Sequence, residues 1–396
     1  MSLSAVFDHQ EDVFDAAFAV LRDAIAQRVF PAASVAVTQA SKLLALKALG
    51  HSTYQTAGPL SARSSPDGMD FAVGVETLFD LASVTKAVAT TTMAAILYER
   101  GLLELEAPVA GVIPEFEVDS TGGKDSRRHD VTFRMLLAHS SGLPAYEKLF
   151  ARTNSRDDLL RAAFTTPLTA DPDTRAEYSD LGFIVLGVAL ERMAGESLDR
   201  FCQREVFGPL GMTRTTFNPP VEMRASIPPT ADERPESEVG VESATTAPRS
   251  TFRSRIIQGE VQDENAFVLG GVAGHAGLFS TAEDVSRFAE IMLRGGRPIL
   301  RPETISMFTH RESTPPGTSR ALGWDTPSAP SQSGKYFGAS SYGHLGYTGT
   351  SLWIDPERQL SITLLSNRTW PDCSNHAIKQ VRPRFHDAVI EVLEAR

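Results

Sequence analysis

The chain of 396 residues holds 38 Lys and Arg against 49 Asp and Glu, a net charge of -11, with 42% hydrophobic and 22% charged residues. This is the make-up of an ordinary globular protein long enough for two domains, and an acidic chain without a basic stripe excludes a nucleic-acid partner. Two cysteines, Cys202 and Cys373, exclude a disulfide framework. No apolar run reaches the roughly 18 residues of a membrane span. The N-terminus (MSLSAVFDHQEDVFDAAF) has acids where a secretory leader would be basic and then apolar, so a cytoplasmic location is expected. A periplasmic or secreted protein shorn of its leader would read the same.

In chain order, Phe14, Phe18, Leu21 and Ile25 at helical spacing predict an amphipathic helix within 12–30, ended by Pro31. The apolar runs 33–38 and 43–49 flank Gln39-Ala-Ser-Lys42 and predict a hairpin. A Gly, Ser and Pro-rich loop follows at 58–68. Residues 83–98 then form a nearly uncharged helix that Gly101 is placed to stop. Further helices are expected at 131–138, 157–164, 181–193 and 198–207, the last stopping at Gly208-Pro209.

Residues 219–255, rich in Pro, Glu, Ser, Thr and Arg, predict a long, partly disordered surface loop. Order is expected to resume at 266–279, with a helix at 282–294. A hairpin at 351–365 turns at Asp355-Pro-Glu-Arg358. A final helix carries Phe385, Val389 and Val392 on one face, with Pro383 in its first turn. Strand patterns at both ends with helices between predict an α+β fold: an antiparallel sheet from both termini flanked by helices, with an inserted all-helical domain. The expected units are 1–82 with 266–396 (sheet), 83–218 (helical) and 219–265 (connecting loop).

Three stretches can carry chemistry. Lys86 is the one charge between Ser83 and Tyr98, and of seven lysines it alone follows a serine by three residues. On a helix Ser83 and Lys86 share a face, and burial favours a neutral amine, which makes a nucleophile beside its base. Backbone N–H groups at the helix start suit an acyl oxyanion. Tyr178-Ser-Asp180 precedes a helix, where Ser179 or Asp180 could simply be an N-cap, yet the Tyr178 phenol could relay a proton. Tyr342-Gly-His-Leu-Gly-Tyr-Thr-Gly-Thr-Ser351 has glycines whose cost in a strand implies close approach by a ligand or neighbouring chain, or else an edge strand with bends. His344 there is either a ligand-facing donor or a surface histidine. Gly-x-Ser-x-Gly, His-Glu-x-x-His, Cys-x-x-Cys and Gly-x-x-x-x-Gly-Lys are absent, and His275 has no partners at metal-ligand spacing, so no cofactor or metal is expected.

Taken together, Ser83-Val-Thr-Lys86, Tyr178-Ser-Asp180 and His344-Leu-Gly346 resemble the motifs of the serine beta-lactamase and penicillin-binding-protein superfamily, in its class C beta-lactamase, D,D-peptidase and esterase branch. The segments 131–143 and 274–281 are similar to further recurring stretches, so the resemblance spans nearly the whole chain. It implies a sheet domain and a helical domain with the site between them. Ser83 would form an acyl-enzyme, and Lys86 with Tyr178 would move its proton. The N–H groups of Ser83 and Tyr347 would form the oxyanion hole, and the 344–346 strand would pair with substrate.

Two departures qualify it. Asp180 stands where the family usually has Asn and could pair with Lys86, keeping it protonated and shifting the base role towards Tyr178. His344-Leu-Gly346 stands where Lys-Thr-Gly is usual and offers weaker charge for a substrate carboxylate. Asp180, His344, Gly346 and Tyr347 are therefore expected to contact substrate. The expected activity is hydrolysis of small esters, amides or peptidoglycan-derived D-amino-acid peptides. A true beta-lactamase, or a slow penicillin-binding acyl sensor, is the alternative. The expected partner is a small acyl substrate, with no nucleic acid and no membrane span.

Overall fold

The computed structural model describes every residue except 1–2, 8, 55–68, 120–121, 154, 236–249 and 396. The loop expected at 58–68 lies outside the described residues. In chain order the strands are β1 (Ser4–Ala5), β2 (Ala32–Gln39), β3 (Lys42–Gly50), β4 (Phe79–Asp80), β5 (Thr216–Phe217), β6 (Pro229–Asp232), β7 (Ile256–Gln258), β8 (Leu278–Ser280), β9 (Tyr342–Leu345), β10 (Ser351–Asp355) and β11 (Leu360–Ser366).

Six of them build the main sheet in the order β1-β3-β2-β11-β10-β9, so both chain ends contribute as expected. It is antiparallel apart from the edge pair β1–β3, which is parallel and makes the sheet mixed. The β2–β3 turn places Ala40 and Ser41 at φ 47° and 65°, the double left-handed conformation of a tight hairpin.

Strand β2 alternates between two cores, as a period of two requires. Ala33, Val35 and Val37 pack with Phe18, Leu21, Phe385 and Val389 of the helices Asp15–Ala26 and Ile378–Glu394. Ala32 and Ala36 face the other core, which includes Val285 and Ala289 of the helix Ala282–Leu293 and the Ser83 helix. Strand β8 is flanked by β4 and β5 in a second, three-stranded sheet. That small sheet anchors the chain just before Ser83.

Four expectations need correction. The 83–98 helix is not α throughout: Lys86–Thr91 is π-helical and Thr92–Glu99 is α. The helix from Leu198 does not stop at Gly208-Pro209 but continues through Leu210 and ends at Gly211, which takes the left-handed cap. Pro383 lies inside the last helix, because Ile378 rather than a later residue begins it; the ring removes the bond to the Lys379 carbonyl. The stretch 219–265 is not loop alone. It holds the helix Val221–Arg224, the paired strands β6 and β7, and the start of the helix Glu264–Val268. Short runs of two to four paired residues, tied by charged side chains, carry little of the apolar periodicity that signals structure in a sequence. Residues 236–249 lie outside the description.

Candidate active site

Ser83 sits in the turn directly before the long buried helix. The residue before it, Ala82, has φ 45°, a conformation that costs a side chain about 1–2 kcal/mol. The surroundings hold it there. Asp80 Oδ1 accepts the Ala82 N–H at 2.8 Å, and Asp80 Oδ2 accepts the Gln262 N–H at 2.7 Å. Thr348 and Thr350 donate their hydroxyls to the carbonyls of Asp80 and Leu81 at 2.7 and 2.9 Å, bolting the turn to the segment after β9. Burial pushes the Asp80 carboxyl up to about 6.

Lys86 is fully buried one turn on. Its three donors are all taken: Ser83 Oγ at 2.9 Å, Asp180 Oδ1 at 2.6 Å and the His275 carbonyl at 3.0 Å. Desolvation pulls its pKa down, but Asp180 and then Tyr178 together more than offset this, and the net direction is upward from the ordinary value. The burial argument for a neutral amine therefore fails here, because the position that would be neutral Asn is a carboxylate. Lys86 stands as an ammonium held by Asp180.

Tyr178 and Asp180 reach the pair because the turn after the helix Phe133–Leu137 grips their segment. His139, at φ 58°, accepts the Ser179 N–H on Nδ1 at 3.0 Å, and its carbonyl accepts the Glu177 N–H at 2.8 Å. The Ser179 hydroxyl donates to the Pro144 carbonyl and caps the helix Asp180–Ala194 by accepting the Gly182 N–H at 3.0 Å. Ser179 is thus the N-cap, and Asp180 on its flank is free to meet Lys86. The Tyr178 ring lies 4.9 Å from Lys86 Nζ, and among the described residues its buried hydroxyl has no hydrogen-bond partner. Burial pushes its pKa up, while the nearby Lys86 ammonium and Ser83 hydroxyl pull it back. His139 stacks 4.6 Å from Tyr178 and is kept neutral by burial, then by the charge of Arg320 and Lys86.

Across from this pair, β9 is held against β10 and its glycines are needed for contacts within the chain. A side chain at Gly343 would strike the Trp353 ring, and one at Gly346 would strike Thr350 and the Leu81 carbonyl. The close neighbour of Gly346 is thus the Ser83 turn. Arg382 donates to the carbonyls of Gly346 and Thr350, fixing the bend between them. Among the described residues no hydrogen bond takes the backbone N–H of Ser83 or Tyr347. His344 is buried, and its Nδ1–H is committed to the Leu345 carbonyl at 2.9 Å. Among the described residues its Nε2 has no hydrogen-bond partner, and burial with the nearby Lys86 charge lowers its pKa to about 3. His344 is therefore a neutral ring presenting an acceptor rather than a ligand-facing donor. The Tyr347 side chain is 47% exposed and lies beside the Arg368 guanidinium.

Ser83, Lys86, Tyr178 and Asp180 are brought into one cluster, with His344, Gly346 and Tyr347 along one side of it. Sequence reasoning missed the His275 carbonyl, His139, Arg382 and Arg320. A backbone carbonyl has no residue signature, His139 lies in the recurring stretch 131–143 without any sign there of its contact, and Arg382 and Arg320 act from segments with no motif of their own. Asp263 Oδ1 meets His275 Nε2 at 2.8 Å, but among the described residues no group of three His, Cys, Asp or Glu is placed to hold a metal ion.

A mixed sheet from both chain ends, joined to a half-buried serine and a buried lysine at a helix start, defines the class of beta-lactamase/transpeptidase-like hydrolases. The chain belongs to the beta-lactamase family, whose profile matches residues 15–381. It is 30% identical over 357 residues to an N-acetylmuramyl-L-alanine amidase of Bacillus subtilis, covering 86% of this chain and 77% of that protein. It is 32% identical over 307 residues to a putative D-alanyl-D-alanine carboxypeptidase of Escherichia coli, covering 74% and 69%. Among solved structures it shares the fold of EstCE1, a hydrolase with promiscuous acyltransferase activity (TM-score 0.71, 21% identity, 96% and 98% covered). A penicillin-binding protein homologue from Caulobacter crescentus is similar (TM-score 0.68, 20% identity, 96% and 98% covered). Among the described residues no helix is long and apolar enough to cross a membrane.

Proposed function

We propose that the protein is a serine acyl hydrolase that works through a covalent acyl-enzyme on Ser83. The observation that carries this reading is the 2.9 Å contact between Ser83 Oγ and a buried Lys86 whose other donors are fixed on Asp180 and the His275 carbonyl. Ser83 Oγ attacks the substrate carbonyl, and its proton passes to Lys86 as Lys86 passes one of its own to Asp180. The oxyanion is received by the N–H groups of Ser83 and Tyr347. As the acyl bond breaks, Tyr178 gives its hydroxyl proton to the leaving group and regains one from Lys86, which recovers its own from Asp180. The serine proton thus ends on the leaving group. Water then repeats the sequence on the ester, and Ser83 is restored.

In this reading the Lys86–Asp180 pair is the proton acceptor as a unit, and Tyr178 is the acid. The segments 1–82 with 266–396, and 83–218, act as the two walls of the site. The substrates are small esters, amides or peptidoglycan-derived D-amino-acid peptides, a range supported by relatives named amidase and carboxypeptidase. The neutral His344 in place of a lysine favours esterase or D,D-peptidase activity over efficient beta-lactam hydrolysis. A fluorophosphonate or labelled penicillin should modify Ser83, and Ser83→Ala should abolish labelling. Labelling that survives the substitution would sink the proposal. A panel of nitrocefin, p-nitrophenyl esters and D-alanyl-D-alanine peptides then separates the sub-activities, and multiple turnover on any of them excludes a pure acyl sensor.

A further inference from the structure

Both N–H groups assigned to the oxyanion are tied to one buried residue that the proposed chemistry leaves unused. Asp80, 2% exposed at the end of β4, accepts the Ala82 N–H on Oδ1 at 2.8 Å and the Gln262 N–H on Oδ2 at 2.7 Å. The first contact holds the turn that carries the Ser83 N–H, with Ala82 at φ 45°. The backbone carbonyl of Asp80 accepts the Thr348 hydroxyl at 2.7 Å, one residue beyond the Tyr347 N–H. Thr348 is fixed from its other side as well, since its carbonyl accepts the Arg368 N–H at 2.9 Å and the Ser366 hydroxyl at 3.1 Å. The spacing between the two donors therefore runs through Asp80.

An ionised carboxylate only accepts hydrogen bonds, and here each oxygen faces an N–H. A proton added to it meets a donor on either side, so one contact gives way. The Gln262 side is braced by Arg253, which donates to the carbonyls of Val261 and Gln262. The Ala82 side holds a left-handed turn whose release returns energy. We infer that Asp80 is the positioning residue of the oxyanion hole: as a carboxylate it holds the Ser83 N–H in place against the Tyr347 N–H, and as a carboxylic acid it lets the Ser83 turn relax. The inference rests on the acyl-hydrolase reading for the anion those groups receive. Burial is the main cause of the rise of Asp80 to about 6, opposed by its two N–H contacts and Arg253 and assisted by Asp263. Arg253 is itself paired with Glu233, and Asp263 with His275. His139 and His344 stay neutral in that range and add no acid limb of their own.

The test labels the full chain with a fluorophosphonate from about pH 8 down to about pH 5, separating the rate of bond formation from the affinity of the first encounter. In the wild type the rate should fall about ten- to a hundredfold to a lower plateau as Asp80 takes its proton, with affinity changed less than about threefold. Asp80→Asn, which sets an amide N–H against a backbone N–H, should sit on that plateau at every pH. Thr348→Val should lower the rate by about tenfold and keep the acid limb. An acid limb that survives Asp80→Asn belongs to the Lys86–Asp180 pair; it overturns the inference, and labelling at Ser83 leaves the hydrolase reading standing. In parallel, amide hydrogen exchange over residues 80–85 is read relative to 351–365 in wild-type and Ser83→Ala protein, which cancels the pH dependence of exchange itself. Relative protection of 80–85 that drops about tenfold over the same pH range supports the hold of Asp80 on the turn even if Ser83 fails to label and the hydrolase reading falls. Protection indifferent to pH overturns it, whether or not Asp80→Asn folds.

Discussion

Two buried ion pairs lie close to the nucleophile, and they are built to opposite ends. Arg253 and Glu233 meet at 2.6 Å with each side chain 2% exposed, and the remaining guanidinium donors go to the carbonyls of Val261 and Gln262. Each guanidinium nitrogen there donates to an acceptor that cannot leave, and the pair fixes the loop whose Gln262 N–H holds Asp80. Lys86 and Asp180 also meet at 2.6 Å, but one ammonium donor points to a hydroxyl that can react, and an unpartnered phenol stands alongside. The first pair is closed and structural. The second is open on one side, and that opening is where chemistry can occur.

Removing each cation should break the comparison most sharply. Lys86→Met is expected to slow acylation of Ser83 by about 10³-fold or more, since it takes away the partner of the nucleophile. Arg253→Met, which strands a buried carboxylate, is expected to lower unfolding free energy by about 3–5 kcal/mol. The measurements are acylation kinetics and urea unfolding on both variants. If Arg253→Met proves as slow as Lys86→Met while remaining folded, the division between open and closed pairs is wrong.

Asp180→Asn tests what the carboxylate does. Without it, burial, the largest influence on Lys86, is opposed by Tyr178 alone, and the pKa is expected to fall below the ordinary 10.5. In the wild type the folded value lies above 10.5, so the pair's stabilisation is complete at neutral pH and is lost only as pH climbs beyond that value. In the variant the sign reverses: the unfolded chain binds the extra proton, and stability rises with pH up to about 10.5. Activity should follow, about ten- to a hundredfold lower at pH 7 and recovering as Lys86 becomes the neutral amine. An Asp180→Asn profile that superimposes on the wild type would mean that the carboxylate neither holds the lysine charged nor takes its proton.

Much of this was legible beforehand, and the exceptions share a cause. The main sheet and the buried helix follow from periodicity and spacing, which local sequence carries, while the three motifs were joined into one site by the resemblance to a known family. The identity of Asp180 also foretold its effect on Lys86, because a carboxylate and an ammonium at that range must interact. The His275 carbonyl, the grip of His139 on Ser179 and the placing of Arg320 were not legible. Each is a contact between segments far apart in sequence, made by a group that no local pattern marks. The role of Gly343 and Gly346 was half legible: close approach was implied, but the neighbours turned out to be the Trp353 ring and, for Gly346, the Leu81 carbonyl near the nucleophile.

Burial of neutral histidines around the open site should appear in its acid stability. His344 has its folded pKa near 3, against an ordinary value of 6.5, and His386 under the same sheet is also near 3. Between those values the unfolded chain binds protons that the folded chain refuses, so stability falls as pH drops from about 6.5 towards 3. His344→Gln, which keeps polar atoms without titrating, should flatten part of that fall and leave the part due to His386, as read by thermal unfolding across pH. If the slope is unchanged, His344 takes up a proton in the folded state.

The effect of Tyr178→Phe on stability is the smallest expected, and its effect on turnover is the most specific to mechanism. Tyr178→Phe removes a hydroxyl that makes no hydrogen bond among the described residues, so folding should hardly change. If that hydroxyl protonates the leaving group, its loss matters only when the leaving group needs a proton. Hydrolysis of an amide or alkyl ester should drop by about a hundredfold, while a p-nitrophenyl ester, whose phenolate departs unaided, should lose only a few-fold in the acylation step. Equal losses on both substrates would place Tyr178 on the serine side of proton transfer. It would then be the base that Asp180 displaces Lys86 from being, and the open pair would serve to orient Ser83 rather than to receive its proton.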